Sequence, residues 1–442
     1  MKVTNRTSLR ILLATLALMA TWPASAADLL SLYQRAQHED PAYNAARADY
    51  RAAREAKPQA RAAVLPQLQF TASHTEENQK DLSTHRSDDF SADQYGISLS
   101  QTLFNWNQFS GLDRADAQVA QAESNLASSE QDLIIRVSQA YFNVLSAADG
   151  LRFAQAEKKA ISRQLEQAKQ RFDVGLIPVT DVKAAQASYD LARAREIEAQ
   201  NQLANAREAL RSIIGAPAGN LASLGDDLPL REPDPADPEQ WVQTATSRNP
   251  DLLSARSAAE VARYDIKQAR AGHYPEVDLV ASHDHTDEGG GFRQGEFATN
   301  SIGVQLTWNF YAGGATFSRT SEAQARFDAA RSRVTQSQRS VEQSTRDAYR
   351  GLEASISRVD ALAQAVESNR ASVEATQAGF KVGTRTAVDV LNALRDLYGA
   401  QRDYADARYN YIVNRLKLKQ AAGTLTVDDV RLVNSWLTEP DS

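Results

Sequence analysis

From about residue 107 the chain keeps a single hydrophobic rhythm for some sixty-five positions. Leu126, Leu133, Val137, Ala140, Val144, Ala147, Leu151, Ala154, Ile161, Leu165, Ala168 and Phe172 step by sevens, fours and threes. Leu352, Ile356, Val359, Ala363, Val366, Val373 and Phe380 do the same. Sustained 4-3 spacing marks a coiled-coil seam rather than an ordinary globular helix. The spacing predicts two long helices, Asn107–Phe172 and Ala315–Phe380, each roughly 100 Å at 1.5 Å per residue. Alanine-rich seams let such helices approach closely. Val174-Gly175 and Val382-Gly383 break the rhythm, and return helices follow over Asp181–Ile214 and Asp389–Ala422. Earlier in each half, Leu29–Val64 and Trp241–Gly272 read as unbroken helical stretches. At Pro66 and Pro275 the period changes to two. Leu68, Phe70 and Ala72 alternate with polar residues, as do Val277, Leu279 and Ala281. Tyr95, Ile97, Leu99 and Leu103, then Ile302, Val304, Leu306, Trp308 and Phe310, repeat the pattern. This predicts two hairpins, about 66–104 and 275–311, with four strands of about nine or ten residues.

These landmarks share one offset. Pro41 and Pro250, Pro66 and Pro275, Tyr141 and Tyr349, Phe172 and Phe380, Gly175 and Gly383, Asp181 and Asp389, and Gly215 and Gly423 lie 208 or 209 positions apart. The chain is a tandem duplication. Residues 27–215 form the first repeat and 241–423 the second, each a helix, a hairpin, a long helix and a return helix. Pro217, Pro229, Pro233, Pro235 and Pro238 mark 216–240 as the linker. The central helix matches the first and last helices of its repeat placed end to end. The linker and the tail 424–442 therefore emerge near mid-length, as a belt around a rod.

Composition changes the picture at three points. Lys2, Arg6 and Arg10 precede the apolar run 11–20 and Ala24-Ser25-Ala26. That is the layout of a secretory signal peptide over 1–26, with Ala27 as the first mature residue. Its removal takes the net charge from −7 to −10. Cysteine is absent, which excludes disulfide scaffolds, thiolate metal sites and N-terminal lipoprotein acylation. The acidic balance argues against nucleic acid as a partner. Beyond residue 26 no run approaches the roughly 20 apolar residues of a membrane helix.

Helical spans are excluded, but strands are not. Four alternating strands suit a membrane barrel, which must close because unpaired edges in lipid are costly. Single-chain barrels begin at about eight strands, so four per chain imply an oligomer, twelve strands in a trimer or eight in a dimer. Trp106, Trp308, Tyr95, Phe104, Phe310 and Tyr311 suit interfacial girdles.

Several segments now resemble the TolC family of outer-membrane channel-tunnels. They are Tyr141-Phe142-Asn143-Val144-Leu145, Arg171-Phe172-Asp173-Val174-Gly175-Leu176 with Thr180-Asp181-Val182, and Val382-Gly383-Thr384-Arg385-Thr386 with Val388-Asp389-Val390-Leu391. Ala407-Arg408-Tyr409-Asn410-Tyr411 and Gly423-Thr424-Leu425 continue the match over essentially the whole mature chain. The resemblance implies a mainly helical homotrimer. A twelve-stranded outer-membrane β-barrel, four strands from each chain, continues into a twelve-helix periplasmic coiled-coil tunnel. It also implies the role of exit duct for tripartite drug efflux, type I protein secretion or both. The partners implied are a periplasmic adaptor, an inner-membrane translocase of ABC, RND or MFS type, and outer-membrane lipid. No enzymatic activity, cofactor or metal is implied.

The resemblance also assigns a gate at the periplasmic tip. Thr180 and Asp181 on one hairpin bond Arg385 and the residue at 380 on the neighbouring hairpin. Three copies of Asp389 line the constriction, where converging like charges raise carboxylate pKa values or recruit cations. Val174, Gly175, Leu176, Val382, Gly383 and Thr384 form the docking tips. Two departures stand out. Position 392 is Asn where the pattern often has a second acid, so cation selection weakens. Position 380 is Phe where the pattern has Tyr, so a latch hydroxyl is missing and a looser closed state is expected. A plainer reading of Asp181 and Asp389 is that they cap the return helices.

Two rival classes remain. One is a periplasmic coiled-coil rod without channel activity. The other is a metal-dependent enzyme built on His283-Asp284-His285 with Asp287 and Glu288, read as part of the glycine-rich loop between strands. These residues lack a third ligand set at fixed spacing, and no P-loop, GxSxG, HExxH or dinucleotide fingerprint is present.

Overall fold

The computed structural model describes residues 27–83, 85–290 and 294–438. The signal peptide over 1–26, Gly291 of the glycine-rich loop and the last four residues of the tail lie outside them. Chain order is α1 (Leu29–Glu39), α2 (Pro41–Arg54), α3 (Ala56–Ala63), β1 (Gln67–Lys80), β2 (Ser87–Phe104), α4 (Trp106–Asp173) and α5 (Val179–Ile214). Then come β3 (Ser223–Leu224), α6 (Pro238–Arg248), α7 (Pro250–Ala271), β4 (Glu276–Glu288), β5 (Gly295–Thr307), α8 (Ala315–Lys381), α9 (Ala387–Ala421), α10 (Val427–Asn434) and β6 (Leu437–Thr438).

The long helices α4 and α8 have 68 and 67 residues. Along α4 lie α1, α2 and α3, then α5, with α7 on another flank. Along α8 lie α6 and α7, then α9. Helix α9 also packs on α4, joining the two repeats along the tip half of the rod.

The helical stretches that open each repeat are broken rather than continuous. Asp40 ends α1 and caps α2, its Oδ1 accepting from Tyr43 N at 2.7 Å. Asn249 does the same between α6 and α7, accepting from Asp251 N at 3.0 Å. Proline at the first helical position has no N–H to lose, and it pushes the preceding residue out of the helical region. A proline at the same place in both repeats therefore restarts the helix.

The four strands form one antiparallel sheet in the order β1-β2-β4-β5. They run to 14, 18, 13 and 13 residues, longer than the alternation predicts. Backbone pairing continues through polar positions, with Glu76 opposite Ser91 and Asp287 opposite Glu296. Ladder bonds hold the strands there without an apolar face. The second hairpin also stops early, at Thr307, so Trp308, Phe310 and Tyr311 lie beyond the strand.

Register sorts the side chains into two faces. Leu68, Phe70, Ile97, Leu99, Leu279, Ala281, Ile302 and Val304 share one. Gln67, Gln69, Ser98, Ser100, Ser282 and Ser301 share the other. An apolar outer face and a polar inner face are the signature of a membrane barrel with a wet lumen. Below it, Trp106 meets Tyr274 with ring centroids 6.1 Å apart, and the Trp308 Nε1 donates to the His273 carbonyl at 3.2 Å. Among the described residues the edges β1 and β5 find no further strand partner, so the sheet is an open arc.

His283, Asp284 and His285 sit inside β4, not in a loop. Alternation sends the two histidines to one face and the aspartate to the other. Among the described residues no group of three or more His, Cys, Asp or Glu is placed to hold a metal ion.

The main core lies at mid-height. Tyr33, Tyr141, Phe142, Leu210, Ile214, Tyr411, Ile412 and Leu416 are buried there. The linker and tail wrap this level, β3 pairing with β6. The duplicated tyrosines explain their own spacing. Tyr141 Oη donates to the Ala222 carbonyl at 2.7 Å and Tyr349 Oη to the Ala236 carbonyl at 2.6 Å. Both fasten the linker to a long helix, and burial pushes both phenols up.

Candidate periplasmic gate

The end of the rod far from the strands carries two helix–turn–helix tips. Each turn follows from a glycine in the left-handed region, Gly175 at φ +74° and Gly383 at φ +81°. Leu176 N donates to the Arg171 carbonyl at 2.8 Å, and Thr384 N to the Gly379 carbonyl at 2.9 Å. These bonds occupy carbonyls that the helix ends leave open. Among the described residues, the chain neighbours aside, nothing lies within 4 Å of a Cβ placed at Gly175 or Gly383. Val174, Leu176 and Val382 are exposed.

The return helices start differently. Pro178 is the cap of α5 and makes no side-chain bond, while Asp181 lies in the first turn. Thr386 caps α9 in a reciprocal box: Asp389 N donates to Thr386 Oγ1 at 3.2 Å, and Asp389 Oδ2 accepts from Thr386 N at 2.9 Å. Neither aspartate is the cap itself. The bonds from Thr386, helped by the charge of Arg385, hold the Asp389 carboxyl below its usual range.

The residues named from the sequence fall into two groups. Asp389 is committed to its own helix start. Asp181, Thr180, Arg385 and Asn392 make no side-chain hydrogen bond or ion pair with one another within the chain, and Thr180, Arg385 and Asn392 face solvent. The stem of Arg385 lies across Gly379, where an added Cβ would stand 2.8 Å from its Cγ.

Phe380 is different. It is 7% exposed, packed with Val373, Ala387, Val390 and Leu394, and Ala160 reaches this cluster from α4. In return Leu391 of α9 enters the cluster of Ile161, Leu165, Ala168 and Ala185 in the first hairpin. The guanidinium of Arg171, at the end of α4, lies over the Phe380 ring with its carbon 4.3 Å from the centroid. Its Nη1 donates to the Phe380 carbonyl at 3.5 Å. Sequence reasoning missed Arg171 as a site residue. Beside a helix C-terminus a basic residue reads as a partner of the helix dipole.

Higher up, α4 and α9 are joined by polar contacts. Tyr409 Oη donates to Asp149 Oδ2 at 2.7 Å, and Ser146 Oγ donates to Asp406. Burial pushes the Asp406 carboxyl up. Glu157 is buried between the hairpins and paired with Arg195 at 2.6 Å. One chain therefore holds its two hairpins together from mid-height to the tip.

Residues 32–216 and 241–424 each match the family described as outer membrane efflux protein. The chain belongs to that family. The two matched segments coincide with the two copies read from the internal repeat. The chain is 40% identical to the outer membrane protein TolC of Vibrio cholerae over 422 residues, 95% of each chain. It is 31% identical to the alkaline protease secretion protein AprF of Pseudomonas aeruginosa, over 93% of this chain and 87% of that one. A crystal structure of a membrane protein from Pseudomonas aeruginosa superposes with a TM-score of 0.79 at 23% identity, covering 91% of this chain and 92% of that one.

The protein is thus an outer-membrane channel of the efflux and type I secretion class, with a large periplasmic portion. Its open four-stranded arc is one subunit's share of a trimeric channel-tunnel. The family is one of channels, not of enzymes. The reading as a rod without channel activity falls with this result.

Proposed function

We propose that this channel is a gated exit duct whose tip opens when a periplasmic adaptor and an inner-membrane translocase engage it. The translocase, of ABC, RND or MFS type, chooses the cargo. Drugs, secreted proteins or both then leave through one passage.

The observation that carries the reading is the contrast at the tip. Arg385 and Thr180 stand in solvent on two hairpins of one chain, and the Asp181 carboxylate forms no ion pair with Arg385 of its own chain. In a closed trimer each finds its complement on the neighbouring subunit. Asp181 and Thr180 meet Arg385, and three such links tie the ring shut. Three Asp389 carboxylates converge on the axis. There, like charge works against the intrachain bonds that hold Asp389 low. With Asn392 one turn on, the ring of acids is single, so blocking multivalent cations bind less tightly than to a double ring.

The exposed apolar tips Val174, Leu176 and Val382, with Gly175, Gly383 and Thr384, are the docking points for the adaptor. They offer apolar surface on turns that have room for a partner.

A deletion strain tests this function. Loss of the channel makes cells sensitive to amphipathic drugs, abolishes export of a secreted protein, or does both. A strain unchanged in both respects contradicts the reading.

A further inference from the structure

The gate read from the family pattern lacks one hydroxyl, because position 380 is Phe. The structure supplies a different contact at that place. Arg171 turns away from its own helix end and lies on the Phe380 ring of the other hairpin, 4.3 Å from the centroid. Its second attachment is the Phe380 carbonyl, at 3.5 Å. The lining of the cleft around it includes Arg163 and Lys381 and no carboxylate. The aromatic face, with the Phe380 carbonyl, is what the guanidinium meets.

The pin is made once per chain. With the offset of 208, the position equivalent to Arg171 is Gly379. No side chain there can reach back to Phe172, which is 42% exposed against 7% for Phe380. Gly379 is needed for another reason, since the Arg385 stem occupies the space of its missing Cβ. One substitution within the duplicated unit therefore leaves Arg385 free to lie across its own turn and leaves Arg171 as the cross-hairpin residue.

We infer that Arg171 is a positioning residue of the gate: by clamping Phe380 it holds the second hairpin against the first within each subunit, in place of the absent hydroxyl latch. This rests on the gate reading above. The closed state of this channel is then no looser for having Phe at 380. The intersubunit links of Asp181 and Arg385 close the ring, and the Arg171 clamp keeps each subunit's two hairpins moving together. Opening must break both.

Purified full-length trimers in planar bilayers test the inference by single-channel conductance. Arg171→Ala and Phe380→Leu should each raise conductance, shifting the open-to-closed ratio about fivefold. The double variant should do no more than the stronger single one, since both remove the same contact. Arg171→Lys should keep part of the closed population, because an ammonium still pairs with the ring, and Phe380→Tyr should keep it fully. Asp181→Ala with Arg385→Ser serves as the control for the gate itself. If the control opens the channel and Arg171→Ala does not, the pin is wrong and the gate stands. If the single effects add in the double variant, the pairing is wrong. If the control and Arg171→Ala both leave conductance unchanged, the gate reading fails and takes the pin with it.

Discussion

The chain folds one unit twice, and the two copies diverge where the rod ends. Both tips turn on a glycine with positive φ after Val, and both long helices carry a Phe one residue before their last. Phe172 remains open to solvent, yet Phe380 is buried beneath an arginine from the other copy. The first return helix starts on Pro178 without a capping bond, and the second on a full Thr386–Asp389 box. Duplication thus supplied two similar hairpins, and a few substitutions made one an anchor and the other its clamp. A symmetric pair would have no reason to move asymmetrically. This pair has an intrachain side, held by Arg171, and unmatched polar groups left over for neighbours.

One large effect that separates the copies lies higher, at the helix breaks. Asp40 is 2% exposed and receives Arg136 through two bonds of 2.8 and 3.0 Å. Its partner position, Asn249, is neutral and caps without an ion pair. Asp40→Ala leaves Arg136 without its buried partner and should cost about 3 kcal/mol, whereas Asn249→Ala should cost about 1 kcal/mol, as for an ordinary cap. Urea unfolding of the two variants measures the difference. Arg136 holds the Asp40 carboxyl below its usual range. Its contribution is therefore complete above the ordinary carboxylate pKa and is lost as pH falls through the lowered folded value. Acid should narrow the gap between wild type and Asp40→Ala. Equal losses in the two variants would mean that the copies are capped equivalently.

Next come the two phenylalanines. Phe380→Ala empties a packed site and should destabilise the second tip by about 3 kcal/mol, while Phe172→Ala should change the first by under about 1 kcal/mol. Hydrogen exchange across 373–397 and 165–185 reads the two tips separately. Similar loss of protection in both would remove the asymmetry.

The turn glycines should separate the copies least, since both stand in the same left-handed conformation. A Cβ at Gly175 or Gly383 meets open space, so the cost of Gly175→Leu or Gly383→Leu comes mainly from the left-handed backbone, about 1–2 kcal/mol. Trimers should still form on a native gel while drug efflux falls, because the added bulk meets the adaptor. Loss of the trimer would assign these glycines to folding only.

The long helices were legible almost to the residue. Asn107–Phe172 and Ala315–Phe380 became Trp106–Asp173 and Ala315–Lys381. A 4-3 seam sustained over more than six heptads in the first helix and about four in the second leaves few alternatives. The strand ends were not legible, because Thr75 to Lys80 are held by ladder bonds that leave no mark on side-chain type. Nor were the breaks at Pro41 and Pro250, since proline at a first helical turn fits a helix start as well as a helix end. At the tip the residue types could be read, but not which hairpin each would face. Arg171 next to a helix terminus looks like a dipole partner until the fold sets Phe380 beneath it.

The central claim is that the tip is a gate closed between subunits by Asp181 and Arg385. Single-channel conductance of Asp181→Ala with Arg385→Ser, beside wild type at the same salt, tests it most directly. The account predicts intact trimers with a clearly higher conductance. Intact trimers whose conductance equals that of wild type would contradict it.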